Sequence, residues 1–141
     1  MNVVRYAHTA STLANGKILV AGGSFFTKNS GGYLNSAELY DPSTGLWTVT
    51  DNMTATRAYH TASILVNGKV LVAGGFGYYG DSTTSLHSAE IYDPSTGHWT
   101  VTGNMTTERY YHTSSILANG KVLVAGGADA HYLINSTELY A

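Results

Sequence analysis

Three arginines, Arg5, Arg57 and Arg109, stand 52 residues apart, and three glutamates, Glu38, Glu90 and Glu138, match them one for one. Such carboxylates can serve as a ring of acids and bases, or they can be buried with a guanidinium as neutral pairs that hold a fold together. Glycosidic chemistry needs two carboxylates converging on one bond, whereas residues related by a repeat are spread apart. The six are therefore expected to be structural pairs, within or between repeated units. His8, His60 and His112 recur in the same phase. They suggest a metal ring, but a histidine that opens a strand more often packs and hydrogen-bonds there. His131, with Asp129 in Asp-Ala-His, lacks a third ligand by motif. Neither a metal nor a cofactor is expected.

Other chemistry falls away quickly. No Gly-x-Ser-x-Gly elbow occurs. There is no cysteine, so thiol nucleophiles, disulfides and thiolate metal sites are all excluded. Gly-Gly recurs outside any phosphate-loop context. The expectation is a protein without catalysis.

The repeat dominates the rest of the chain. Residues 5–56 and 57–108 agree at 32 of 52 positions, and only 2 of those identities fall in the 12 positions 24–35. A constant frame thus carries a variable insert. Each unit reads as four strands. HTASTL (8–13) is closed by Asn15-Gly16, a hairpin signal whose type I′ turn needs positive φ at both residues. KILVAGG follows, apolar enough to be buried on both faces, and its terminal glycines allow a close backbone approach. SAELY is stopped by Asp-Pro-Ser-Thr-Gly, because proline cannot donate to a ladder. LWTVT closes the unit with Trp47, matched by Trp99. No segment has helical periodicity.

The Arg-x-x-His-Thr opening, the Gly-Gly after an apolar strand, the Glu-x-Tyr-Asp-Pro phrase and the spaced tryptophans resemble kelch repeats over essentially the whole chain. The resemblance implies an all-β propeller with one four-stranded blade per repeat: 5–56, 57–108 and an incomplete 109–141 that lacks its outer strand, together a single half-propeller (1–141). Kelch propellers usually close with roughly six or seven blades. Two chains joined head to tail about a two-fold axis would give six, so a homodimeric ring is expected. The strand edge at 136–140 would then support weak higher association. An excised piece of a larger kelch protein is the alternative. Copper-radical oxidases of this architecture use a Cys–Tyr crosslink, which this chain cannot form.

Binding is expected on the variable inserts SFFTKNSGGYLN, FGYYGDSTTSLH and ADAHYLIN, which emerge on one face of the blades. Phe25, Phe26, Lys28, Tyr33, Tyr78, Tyr79, Asp81, His131 and Tyr132 are the candidates. Exposed aromatics among small polar residues suit a protein or a glycan. A carbohydrate-acting propeller is the rival reading. Net charge is −2 with 11% charged residues, which offers no basic footprint for nucleic acid. The longest apolar runs are too short to cross a bilayer as helices. The sequons at Asn52, Asn104 and Asn135 are read as turn residues first and as glycan sites only if the chain is secreted, and no compartment is assigned.

Overall fold

A computed structural model describes residues 1–140; Ala141 and the side chain of Tyr79 lie outside the described residues. Three antiparallel sheets follow one another along the chain. Sheet 1 runs β1 (Thr9–Thr12), β2 (Ile18–Ala21), β5 (Ala37–Asp41), β6 (Leu46–Val49), in that spatial order. Between its second and third strands lies a small hairpin, β3 (Ser24–Phe26) and β4 (Gly31–Tyr33). Sheet 2 repeats the plan with β7 (Thr61–Ile64), β8 (Val70–Ala73), β11 (Ala89–Asp93) and β12 (His98–Val101). Its hairpin is β9 (Phe76–Tyr79) and β10 (Ser82–Ser85). Sheet 3 has β13 (Thr113–Ile116), β14 (Val122–Ala125) and β15 (Thr137–Tyr140). This up-and-down strand order is that of propeller blades.

Two local features differ from the sequence expectation. The variable inserts, read as loops, are paired hairpins in the first two units, whereas the shorter third insert keeps a single bridge, Ala128 to Leu133. The Asn-Gly turns are not type I′. Gly16 has φ +81° while Asn15 stays at negative φ. The Gly16 amide bonds Leu13 O at 2.9 Å, a type I turn followed by one left-handed residue. Asn15 instead accepts from the Lys17 amide at 3.0 Å.

The core lies between sheets. Leu19, Ala21 and Ala37 of sheet 1 meet Val70, Val72 and Tyr92 of sheet 2, and Met53 from the connecting segment fills the layer. Leu71, Ala73 and Ala89 meet Val122 and Val124 of sheet 3, with Met105 in the matching place. Strand β8 is buried along its whole length because it serves both layers. This is the continuous apolar run that the sequence shows.

Candidate functional site

The repeated arginines sit where a connecting segment enters the next sheet. Arg57 donates from Nη1 to the carbonyls of Gly74 (2.7 Å) and Ser88 (3.1 Å), and from Nη2 to Glu90 Oε1 (3.0 Å). Arg5 reaches Gly22, Ser36 and Glu38 in the same way, and Arg109 reaches Gly126, Ser136 and Glu138. Each glutamate also accepts backbone amides from the connecting segment, Glu90 from Thr54 (2.8 Å) and Ala55 (2.9 Å). Burial works to raise the Glu138 carboxyl, yet the Thr106 amide and the Arg109 guanidinium outweigh it and hold it at about 2. Each pair lies within one unit and fixes the path of the segment between sheets.

Backbone contacts across the seams are realised twice. The Tyr59 amide bonds Ala7 O (3.0 Å), and the Tyr111 amide bonds Tyr59 O (3.1 Å). Gly23 donates to Arg57 O and Gly75 to Arg109 O, each at 2.8 Å, while Arg57 donates to Leu34 O and Arg109 to Leu86 O at 3.1 Å. The histidines take part here: His60 Nε2 meets Thr9 Oγ1 and His112 Nε2 meets Thr61 Oγ1, both at 3.0 Å. The imidazoles are thus placed one per seam. Burial first, and the neighbouring Arg109 second, hold His112 down at about 4. His60 is held well below its ordinary value by burial and Arg57.

The residues that carry these seams are strained. Ala7, Tyr59 and Tyr111 have φ of 54°, 56° and 56°, a left-handed conformation that costs a bulky residue energy and persists only where its surroundings enforce it. That strain turns the tyrosines toward one another. Their rings are 4.4 Å apart, and Tyr111 lies 5.2 Å from Tyr110. Contacts continue from Tyr110 to Phe76 (5.3 Å), Phe76 to Tyr33 (5.6 Å) and Tyr33 to Tyr78 (5.4 Å). Burial, then hydrogen bonding with Tyr111, push Tyr59 up to about 12.

Of the candidates read from sequence, the structure brings Tyr33 and Tyr78 together in this strip. Phe25 is half-buried in β3, Phe26 and Lys28 are exposed on the first hairpin, and Asp81 is exposed in the turn of the second. Tyr79 belongs to β9, with its side chain outside the described residues. His131 and Tyr132 are exposed on the third insert, where Asp129 Oδ1 accepts both of their amides at 2.7 Å. Tyr59, Phe76, Tyr110 and Tyr111 escaped the sequence reading. Tyr59, Tyr110 and Tyr111 stand in the Arg-Ala-Tyr and Arg-Tyr-Tyr openings, outside the variable inserts, whereas Phe76 opens the second insert itself; Tyr59 and Tyr111 reach the strip on a left-handed backbone.

The kelch motif matches residues 5–54 and again 57–106. An F-box/kelch-repeat protein of Arabidopsis thaliana is 36% identical over 126 residues, covering 88% of this chain and 32% of that protein. Kelch-like protein 36 of Rattus norvegicus is 32% identical over 127 residues, or 89% of this chain and 20% of its own length. The influenza virus NS1A-binding protein homolog of Mus musculus is 35% identical over 66 residues, 47% of this chain and 10% of that protein. The chain thus spans a third or less of the relatives it matches.

Proposed function

The chain belongs to the kelch-repeat family, and from that premise we propose that it is a non-catalytic interaction module. Its three blades pair with a second copy to close a six-bladed ring, and its aromatic loop face takes a protein partner. The observation that carries the assembly is the complementarity of the two outer flanks. Each seam contact occurs twice within the chain, and the groups for a third set stand at opposite ends. Tyr111 O and the Ala7 amide, Ile134 O and the Arg5 amide, and the Gly127 amide and Arg5 O have no backbone partner among the described residues. Each pair matches a donor with an acceptor. Thr113 and His8 hold the matching repeat positions for a third Thr–His contact. Met53 and Met105 are 2% and 4% exposed inside seams, whereas Met1, at the same repeat position, is 49% exposed. Blades of a longer chain would meet the same groups; a second copy supplies them with no other component.

The Arg–Glu pairs read as structural in this account. The strip from Tyr59 to Tyr78 offers rigid, half-exposed aromatic area of the kind that anchors protein interfaces. The mouse relative's name records protein binding for that protein, which supports the same use here.

A disulfide across the proposed seam tests the assembly. Ser63 Oγ and Ser114 Oγ are 2.9 Å apart between sheets 2 and 3. The same repeat positions across two copies are Ser115 and Ala10. With no native cysteine, Ala10→Cys/Ser115→Cys should oxidise to a covalent dimer, and Ser63→Cys/Ser114→Cys should close within one chain. A control that closes beside a seam pair that stays monomeric would contradict the ring.

A further inference from the structure

Resting on the loop face as the partner-binding face, we propose that a cleft above sheet 2 receives the guanidinium of an arginine side chain from a protein partner. The cleft holds about 790 Å³. Its walls are the connection into sheet 2 at Thr54, the connection out at Asn104 and Glu108, and the β9–β10 hairpin with Tyr78. It lies toward β12, the outer strand, as its Val101 lining shows.

Charge decides the occupant. The chain has nine acidic side chains. Glu38, Glu90 and Glu138 pair with arginines, Asp41 and Asp93 with Lys17 and Lys69, and Asp51 with His98. Asp129 accepts two backbone amides. Of the two that remain, Glu108 and Asp81, neither has a lysine or arginine partner among the described residues, and Glu108 stands at this cleft. Glu108 forms part of the wall, and Asp81 lies between the lining residues Gly80 and Ser82. No lysine or arginine lines it among the described residues. Glu108 Oε2 accepts from Ser85 Oγ at 2.9 Å, which orients the carboxylate. Oε1 is 3.9 Å from His87 Nδ1, beyond hydrogen-bond reach, so it is free to accept.

The first unit is an internal control. Where sheet 2 has Glu108, sheet 1 has Thr56, and that hydroxyl already accepts the Tyr78 amide at 2.8 Å. Gly31-Gly32 stand in place of Thr83-Thr84, and Asn35 in place of His87. Of these two nearly identical frames, only the second carries the carboxylate and the two threonine hydroxyls. A planar cation with several N–H donors fits them. It pairs with a carboxylate through two parallel bonds and stacks on a tyrosine face, and Tyr78 is 41% exposed here. An anion would meet uncompensated negative charge.

The test uses the whole chain, ¹⁵N-labelled and titrated with acetyl-Gly-Arg-Gly-amide, with the citrulline peptide as neutral isostere. The proposal expects amide shifts confined to the walls of the cleft, at 54–55, 78, 80–88 and 104–108, with a Kd on the order of 1 mM and at least about tenfold weaker binding of the citrulline peptide. Glu108→Gln, which keeps an acceptor for Ser85, should cause a similar loss. Thr83→Gly with Thr84→Gly, the residues of the first hairpin, should cause a smaller one. Equal shifts from both peptides, or arginine binding unchanged by Glu108→Gln, would overturn it. If the peptide moves only amides near Phe25, Phe26 or Tyr132, the cleft falls while the loop-face reading stands. Saturable shifts with a methyl glycoside and none with the arginine peptide would overturn it in favour of a glycan.

Discussion

Sheets 2 and 3 are written in nearly the same residues and meet different surroundings. Val70, Leu71, Val72 and Ala73 are all buried, whereas in Val122, Leu123, Val124 and Ala125 burial alternates with half-exposure. Ile91 of β11 packs against a core layer, and Leu139, its counterpart in β15, is 58% exposed. Glu90 is sealed with its side chain 1% exposed, while Glu138, which has no outer strand beside it among the described residues, keeps 18%. The difference teaches where the stability of such a blade resides. Residue type fixes what a strand is able to bury, and the neighbouring blade decides whether it is buried.

The comparison breaks most sharply at the ion pairs. Glu90→Ala leaves Arg57 buried without its partner and should cost roughly 3–5 kcal/mol. Glu138→Ala, in the more open site, should cost clearly less. Urea unfolding at one fixed protein concentration checks both, and equal losses would erase the distinction between the sheets. The Gly-Gly positions come next. A Cβ on Gly74 would lie 2.5 Å from Arg109 O of the next sheet, at φ +64°, so Gly74→Ala should cost about 3 kcal/mol. The nearest neighbour to a Cβ on Gly126 is Ile134 O at 3.5 Å, within its own unit. Gly126→Ala should therefore cost a lone chain only about 1 kcal/mol of backbone strain. In a closed ring Arg5 O of the second copy would fill the clashing place, and the same substitution should dissociate the dimer. Sedimentation velocity beside thermal unfolding separates the two effects.

Acid should act on the seams last and most gradually. The unfolded chain protonates His112 near its ordinary 6.5, while the folded chain holds it neutral to about 4. The unfolded state thus binds more protons between those values. Stability should be full above pH 6.5 and fall toward pH 4, by at most about 1.4 kcal/mol per pH unit from this group. His60 adds in the same direction. Glu138 contributes stability that is present above its ordinary 4.5 and lost as pH falls toward about 2. Thermal melts across pH 7 to 4 check the histidine arm. His112→Gln, which keeps a group to meet Thr61, should flatten it, and an unchanged slope would remove His112 as the cause.

Much of the frame was legible because it is periodic. Arg57, Glu90 and Gly74-Gly75 occur three times in phase and Trp99 twice, and copies of a phrase outweigh the ambiguity of any one. The Asn15-Gly16 turn was placed correctly and typed wrongly, since a two-residue signal does not report that Leu13 and Lys17 extend the pairing around a three-residue loop. The hairpins at 24–33 and 76–85 were read as loops because their strands are short and carry Gly31-Gly32 or hydroxyl residues rather than an apolar alternation. The aromatic strip was the hardest to see. Tyr59 and Tyr111 face it only because the seam bonds force a left-handed backbone on residues that ordinarily avoid it. Two cores sandwiched between sheets likewise follow from the spatial arrangement, for which the sequence supplies only the apolar strands.

On the proposed ring, the open flank of sheet 3 of one copy meets the open flank of sheet 1 of the other. Multi-angle light scattering on a sizing column tests it most directly. A single species at twice the 15.0 kDa chain mass is expected, and a folded species that stays at 15.0 kDa across concentration would contradict the ring.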